Sequence, residues 1–320
     1  MRAARSLLPL LPITLISIVL LALTGCASKD PVTSTSGEYR RMLEMQKQKT
    51  DAIDREMAQK HLPEMSAEDH DGLGDRYMRQ GDTTHAFLEY RKALAMKPGL
   101  VLTRYKVGRL YLQRGLADEA TKEFDIVEKN DPHSGLSCLG KGMVYFRKGD
   151  FKSARSRFED AVSLNEKLWE AHAFLGLILD RDKETAEKAR EHYKKGIALN
   201  PRSVELYNNL GISYYLHGDY TEAVAAYRKA LCIDPSSRRV YNNLGLALAR
   251  TGEYSDAFEA FERGKDRAGA YNNMGYLYFM ERKYGEAIEA LEKAIDLKPS
   301  FYAKAHENMD MAVTGTKTGE

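Results

Sequence analysis

The 320-residue chain is 43% hydrophobic and 29% charged, too apolar for a disordered chain and too charged for a multi-span membrane protein. Its 48 basic and 46 acidic side chains nearly cancel, so the strongly basic footprint of nucleic-acid binders is absent. Three Cys in this length exclude a disulfide-built scaffold.

The chain opens with Arg2 and Arg5, then an uncharged, mostly apolar run from Ser6 to Leu23 that is interrupted by Pro9 and Pro12 and ends in Leu23-Thr24-Gly25-Cys26. A basic start, an apolar centre and small residues before a cut site predict a secretory signal peptide over residues 1–25. An uncleaved anchor is the competing reading, but the run is near the lower length limit for a span and carries two prolines. The four-residue ending resembles the bacterial lipobox. That resemblance implies acylation of Cys26, removal of the preceding peptide and a second acylation at the new amino terminus. Several acyl chains make a stable anchor where one holds only marginally. Ala27 and Ser28 leave no Asp after Cys26, which resembles the outer-membrane sorting pattern of enterobacterial lipoproteins and implies a periplasm-facing protein. Removing Arg2 and Arg5 from the 48 basic residues leaves 46, equal to the 46 acidic ones, so the mature chain is formally neutral.

Residues 26–66 read as a tether. Ala27 to Gly37 is rich in Ser and Thr, as flexible linkers are. Glu38 to about His61 predicts a weakly amphipathic helix with Tyr39, Met42, Leu43, Ile53 and Met57 on one side, ended by Pro63. It serves as a solvated stalk or as a partner-binding arm.

From residue 67 the chain repeats. A Gly preceded by an apolar residue recurs at Gly74, Gly108, Gly142, Gly176, Gly211, Gly245 and Gly275, at spacings of 34, 34, 34, 35, 34 and 30. A second Gly follows seven residues later at Gly81, Gly115, Gly149, Gly218 and Gly252. An Ala lies twelve after the first Gly, at Ala86, Ala120, Ala154, Ala223, Ala257 and Ala287, with Ala189 one residue late. Four residues further stands Tyr90, Phe124, Phe158, Tyr193, Tyr227, Phe261 or Leu291, and Pro98, Pro132, Pro201, Pro235 and Pro299 close five units. The pattern predicts two helices per unit. The second Gly forms the helix C-cap at positive φ, small residues stand where the helices cross, and Pro stops the second helix. One such unit cannot bury its apolar stripe, so the units stack.

This resembles the tetratricopeptide repeat over seven units, residues 67–301, and implies an all-α solenoid wound as a right-handed superhelix. Tyr302 to Val313 would form a capping helix with Lys304, Glu307 and Asp310 facing water, and 314–320 a frayed tail. Four departures stand out. Lys141 takes a usually apolar position, Glu166 replaces a closing Pro, and the fourth unit has an extra residue near Arg181 to Glu184. The sixth is four residues short around Gly264 to Arg267, which predicts a tighter turn and a local bend.

Catalytic chemistry finds no constellation. The eight His form no HExxH pair, and no GxSxG, P-loop or CxxC occurs. Gly140-Lys141-Gly142 is half a dinucleotide fingerprint inside a helical repeat and is rejected. Glu68, Asp69, His70 and Asp71 read as a solvated helix start rather than a cation site. Cys138 and Cys232 lie two repeats apart, too far to bridge, and are expected as buried thiols. The expectation is a non-enzyme with no catalytic residue, no metal and no cofactor.

Binding has a candidate. Units five to seven open with Tyr207-Asn208-Asn209-Leu210, Tyr241-Asn242-Asn243-Leu244 and Tyr271-Asn272-Asn273-Met274. In tetratricopeptide proteins the residue two before the first Gly faces the concave groove. That resemblance implies a ladder of Asn209, Asn243 and Asn273, backed by Asn208, Asn242 and Asn272, whose amides pair with an extended peptide backbone. Ile212, Tyr215, Leu216, Arg239, Leu246, Arg250, Tyr276, Phe279 and Met280 would supply pockets and two cations. The competing reading is that these Asn fix loops or cap helices.

Ala270-Tyr271-Asn272-Asn273-Met274-Gly275-Tyr276 after a shortened unit, with the ending Lys298-Pro299-Ser300-Phe301-Tyr302-Ala303-Lys304-Ala305, resembles the tight-adherence (Flp) pilus-assembly lipoproteins. The resemblance implies a scaffold on the outer membrane whose partners are the secretin or other pilus-assembly proteins. An adaptor for cell-wall enzymes and a type IV pilus pilotin are the alternatives.

Overall fold

The computed structural model describes residues 65–298, together with helical positions 41, 44, 45, 48, 307–310 and 312–313. The signal peptide, Cys26, nearly all of the tether and the tail from 314 lie outside the described residues. The chain divides into two units, Met1–Gln46 and Lys47–Glu320, and the repeats belong to the second.

Among the described residues, 67–297 form fourteen α-helices that follow one another as seven antiparallel pairs, with no strand. They are α1 (Ala67–Arg79) with α2 (Thr83–Met96), α3 (Val101–Gln113) with α4 (Ala117–Asn130), and α5 (Leu136–Lys148) with α6 (Phe151–Leu164). Next come α7 (Trp169–Leu179) with α8 (Ala186–Leu199), and α9 (Val204–Leu216) with α10 (Tyr220–Ile233). Last are α11 (Arg238–Arg250) with α12 (Tyr254–Gly264), and α13 (Arg267–Met280) with α14 (Tyr284–Leu297). The two helices of each unit pack on one another, and the second helix of units one to six packs on the first helix of the next, the arrangement of an α-solenoid.

The repeat residues are the core. Ala86, Ala120, Ala154, Ala189, Ala223, Ala257 and Ala287 are wholly buried, as are the rings of Phe124, Tyr193 and Phe261. The first glycines are small because a ring lies on them. A Cβ added at Gly74 would sit 2.4 Å from Tyr90, at Gly142 2.6 Å from Phe158, and at Gly211 2.5 Å from Tyr227. Gly140 belongs to the same scheme: its Cβ would meet Phe124 at 2.5 Å, so α5 runs between the rings of two units. The second glycine caps its helix in the left-handed region, at φ 78° in Gly149. Arg282 occupies that station in the seventh unit at φ 62°, a conformation that costs an L-residue about 1 kcal/mol.

The departures are absorbed locally. Lys141 sets its ammonium 2.7 Å from both Asp125 and Glu128, which hold its pKa above the usual lysine value against the opposing effect of burial. The extra residue of unit four forms a 3-10 turn, Lys183–Thr185, with Asp182 accepting from the Glu184 N–H. The four residues missing from unit six remove the last turn of α12, which has 11 residues where α10 and α14 have 14. Only Lys265 and Asp266 then link α12 to α13.

Glu166, in place of a closing Pro, turns its carbonyl onto a pair of imidazoles, His172 buried and His192 half-buried. His172 Nε2 donates to that carbonyl at 3.2 Å, so its Nδ1 accepts from His192 Nδ1–H at 3.0 Å. This arrangement makes His172 the neutral Nε2–H tautomer, and a His192 pKa lowered to about 4 leaves that ring neutral near pH 7. Burial lowers both pKa values, that of His192 to about 4, and the neighbouring His172, Lys195 and Arg155 act in the same direction on His192 while Glu159 opposes them. The unfolded chain takes up protons near pH 6.5 that the folded pair refuses, so stability present above pH 6.5 is lost as pH falls toward 4. Partial exposure holds the effect to on the order of 1 kcal/mol. Urea midpoints measured between pH 7 and pH 4.5 should fall, and the fall should shrink in His192→Gln; an equal slope in the variant would assign the acid loss elsewhere.

One cysteine departs from expectation. Cys138 is buried on α5, and burial raises its pKa, but Cys232 is exposed. It lies two residues past Ala230, the last buried residue of α10, and two residues of helix turn a side chain by roughly 200° to the opposite face.

Candidate functional site

The first helices of the pairs carry the candidate site, and one ion pair shows which of their positions share a face. Arg109, one past the first Gly of unit two, lies 3.6 Å from Glu170, six before the first Gly of unit four. A contact that skips a whole unit requires both positions to lie on the face where alternate units approach. In units five to seven the same positions hold Ile212, Leu246 and Tyr276, and Glu205, Arg239 and Gly269. Leu246, Tyr276 and Arg239 are half-buried, Ile212 is buried, and Leu216 and Met280 at the helix ends are each 46% exposed. Apolar side chains therefore line this face between two guanidinium groups.

Arg250 stands at one edge of it. Its guanidinium lies 4.7 Å from the centre of the Tyr220 ring, which Tyr215 meets edge-on at 5.5 Å. Burial raises the Tyr215 pKa despite the opposing Arg250 charge, so its hydroxyl stays protonated. Phe279 makes the matching contact with Tyr284 in unit seven, with ring centres 6.0 Å apart. Tyr215 and Phe279 thus pack toward the turns of their own units.

The asparagines are placed differently from a free ladder. The position two before the first Gly lies at the seam with the preceding unit: Lys106 sits over Tyr90, Phe174 stacks on Phe158 with ring centres 4.8 Å apart, and Gly140 abuts Phe124. Asn243 in this position donates its amide to Asn208 Oδ1 at 2.9 Å. Asn308 donates to Asn272 Oδ1 at 3.2 Å by the same geometry. Asn208 and Asn272 are 1% and 4% exposed, which corrects their reading as groove residues: they are interior acceptors that staple one unit to the next. Asn209 finds Ala173 at the opposite station and has no hydrogen-bond partner among the described residues. The Asn273–Asn242 rung is not made either. The shortened unit six brings Gly264 against the Asn242 carboxamide, and the buried Asn242 Oδ1 is left without a partner. Two half-buried amides, Asn209 and Asn273, thus remain for a ligand.

The N-terminal polar cluster is fully engaged. Asp69 and Ser66 cap α1 reciprocally, Glu68 pairs with Lys97 at 2.7 Å, His70 with Glu89 at 2.5 Å, and Asp71 with Lys106 at 3.0 Å. No group of three metal-ligating side chains occurs among the described residues, and no described helix is long and apolar enough to cross a membrane. Sequence reasoning missed the Arg109–Glu170 bridge; its signal was the opposite charge at two inner-face positions of alternate units.

The TPR-repeat model matches residues 179–218 and 213–252, and two tetratricopeptide-repeat models match 139–195 with 234–272, and 268–301. Together they run without a gap from 139 to 301, just over half of the chain. The human "Tetratricopeptide repeat protein 6" is 27% identical over 161 residues, 48% of this chain and 29% of that protein, so the chain spans less than a third of this curated relative. The fold is shared with solved structures. The Cut9–Hcn1 hetero-tetramer of APC/C matches at a TM-score of 0.53 and 22% identity, over 71% of this chain and 45% of that one. Pseudomonas aeruginosa pilF matches at 0.51 and 18%, over 62% and 92%. Units one and two, outside the family matches, have the same paired helices and the same ring-on-glycine contacts. The chain belongs to the tetratricopeptide-repeat family, a class of generally non-enzymatic scaffolds that bind protein partners.

Proposed function

We propose that this protein is a non-enzymatic, lipid-anchored scaffold that holds an extended segment of a protein partner along the inner face of units five to seven. The observation that carries the reading is the conjunction there of two unpaired, half-buried amides, Asn209 and Asn273, with Leu246, Tyr276 and Met280 and the cations Arg239 and Arg250. Amides supply backbone pairing without reading sequence, and apolar stations supply affinity. Toward the amino terminus the same face is bridged by Arg109 and Glu170, so the segment is expected to lie in the C-terminal half. The lipobox-like Leu23-Thr24-Gly25-Cys26 supports an anchor at Cys26 in the outer membrane, facing the periplasm. The resemblance of 270–276 and 298–305 to Flp pilus-assembly lipoproteins supports the secretin or another pilus-assembly protein as the partner.

Changing Asn209 and Asn273 to Ala together with Arg239→Ala should weaken capture of a secretin at least tenfold in pull-down, with helicity and melting unchanged. Asn243→Ala should instead lower stability by about 1 kcal/mol, because it breaks a staple bond. Undiminished capture by the triple variant would end the groove reading. Cys26→Ser should abolish palmitate incorporation and release the protein from membranes; continued labelling would end the anchor reading.

A further inference from the structure

The outer side of the last two units holds a cleft of about 300 Å³ between α12 and α14, floored by Met274 and Ala290 on either side of the α13–α14 contact. Its walls are four rings, Tyr254, Phe258, Tyr271 and Tyr278, and its rim carries Ser255, Glu286, Glu289 and Lys293. Phe258 meets Tyr271 at 4.7 Å between ring centres, and Tyr254 meets Tyr278 at 5.6 Å. No other junction between units places four rings at these stations. At the preceding junction the corresponding residues are Tyr220, Val224, Tyr241 and Leu248.

The chain itself shows what such rings attract. At the junction of units four and five, Arg190 lays its guanidinium 4.6 Å from the centre of Tyr214 and pairs with Asp219 at 2.7 Å. Arg181 covers Phe151 at 3.9 Å, Arg250 covers Tyr220 at 4.7 Å and Arg263 covers Tyr241 at 5.7 Å. Tyr278 occupies in unit seven the station of Tyr214, and the station of Arg190 is taken by Phe258 once the extra residue of unit four is allowed for. Where the earlier junction supplies its own guanidinium, this one has a ring, and its cations are ammonium groups: Lys283 at 4.5 Å from the centre of Tyr254 and 5.9 Å from that of Tyr278, and Lys293 at 5.8 Å from that of Tyr271. Lysines flank the cleft but are committed: Lys283 bonds Glu281 and the Tyr254 hydroxyl, each at 2.8 Å, and Lys293 pairs with Glu289 at 2.6 Å. Glu286 has no ion-pair partner among the described residues and leaves the rim with one uncompensated negative charge.

We propose that this cleft binds an arginine side chain presented by a protein partner, with the guanidinium plane against Tyr271 and Tyr278 and its N–H groups on Glu286. Arginine suits the site better than lysine because its planar, weakly hydrated fork stacks on rings and engages a carboxylate in two bonds at once. The cleft faces away from the inner face of units five to seven, so one partner can be held at two points and gain avidity from both.

The test titrates the full chain with acetyl-Gly-Arg-Gly-amide and with its citrulline and lysine counterparts, following ring resonances of Tyr271 and Tyr278. The arginine peptide should bind roughly tenfold more tightly than citrulline, which keeps the shape and loses the charge. Glu286→Gln, at an exposed position, should remove most of that preference, and Phe258→Arg, which restores the internal guanidinium, should block the site. The Asn209, Arg239 and Asn273 variant should bind the peptide unchanged, which separates this site from the groove. Equal binding of arginine and citrulline, full retention in Glu286→Gln, or shifts confined to the inner face would overturn the proposal.

Discussion

Gly142→Ala is expected to destabilise the protein by about 2 kcal/mol, while Gly72→Ala, the same exchange in a helix of the same kind, stabilises it by about 1 kcal/mol. In an open helix, alanine gains roughly 1 kcal/mol over glycine by restricting the unfolded backbone, and the Gly72 Cβ would meet nothing within 4 Å. At Gly142 the new Cβ would lie 2.6 Å from Phe158 Cε1 and 2.7 Å from Cδ1. The ring has nowhere to go: Phe158 is wholly buried and Phe174 stacks on it at 4.8 Å, with planes 5° apart. Either the ring leaves its rotamer or α5 and α6 separate, and overpacking of this kind costs about 1–3 kcal/mol, more than the propensity gain. A smaller partner does not help, since at Gly275 the same Cβ would lie 2.6 Å from Leu291 Cγ. Urea denaturation followed by far-ultraviolet circular dichroism gives both signs, and a stabilising Gly142→Ala would refute close helix crossing as the reason for the glycine.

Glu123→Ala is expected to cost about 3 kcal/mol. Glu123 on α4 is 8% exposed and accepts from Arg104 of α3 at 2.8 Å and Arg91 of α2 at 3.4 Å, so one carboxylate joins the first two units. Removing it strands the Arg104 guanidinium, which is only 11% exposed and whose Nε already lacks a partner. The bond from Arg104 Nη2 to the Pro98 carbonyl survives, which keeps the loss at the lower end of the range for a broken buried pair. The double change Glu123→Leu with Arg104→Met removes both charges and should recover most of the loss. Because solenoid units are coupled mainly to their neighbours, hydrogen exchange should accelerate in α1 to α4 and little beyond α7. Uniform acceleration along the chain, or a double variant as unstable as Glu123→Ala, would contradict this account.

How far the sequence could be read depended on the range of the interaction. The two-helix unit, its seven copies, the alanines and rings of the core and the capping glycines all follow from residues within about twenty positions of one another. That is why the period of 34 was sufficient to find them. The candidate site was legible only as a row of asparagines. What each amide does depends on the residue opposite it about 35 positions away. Asn243 meets Asn208 and is spent on a staple, Asn209 meets Ala173 and stays unpaired, and Asn273 misses Asn242 because unit six is one turn short. Cys232 failed the expectation of burial for a simpler reason, since its unit is regular and only its angular position on α10 turns it to solvent.

The sequence by itself determined the helical pairs, their order and the small-residue crossings, because helix periodicity, capping and close approach are written in local spacing. The tertiary structure alone decided which polar groups are left over for a partner. Arg109 reaches Glu170 across a whole unit, His172 and His192 meet beneath the turn that Glu166 opens, and four rings gather at a junction where the guanidinium of Arg190 has no counterpart. Each of these outcomes depends on contacts between distant residues, whose pairing is set by the angular position of side chains on stacked helices and by a four-residue difference in the length of one unit.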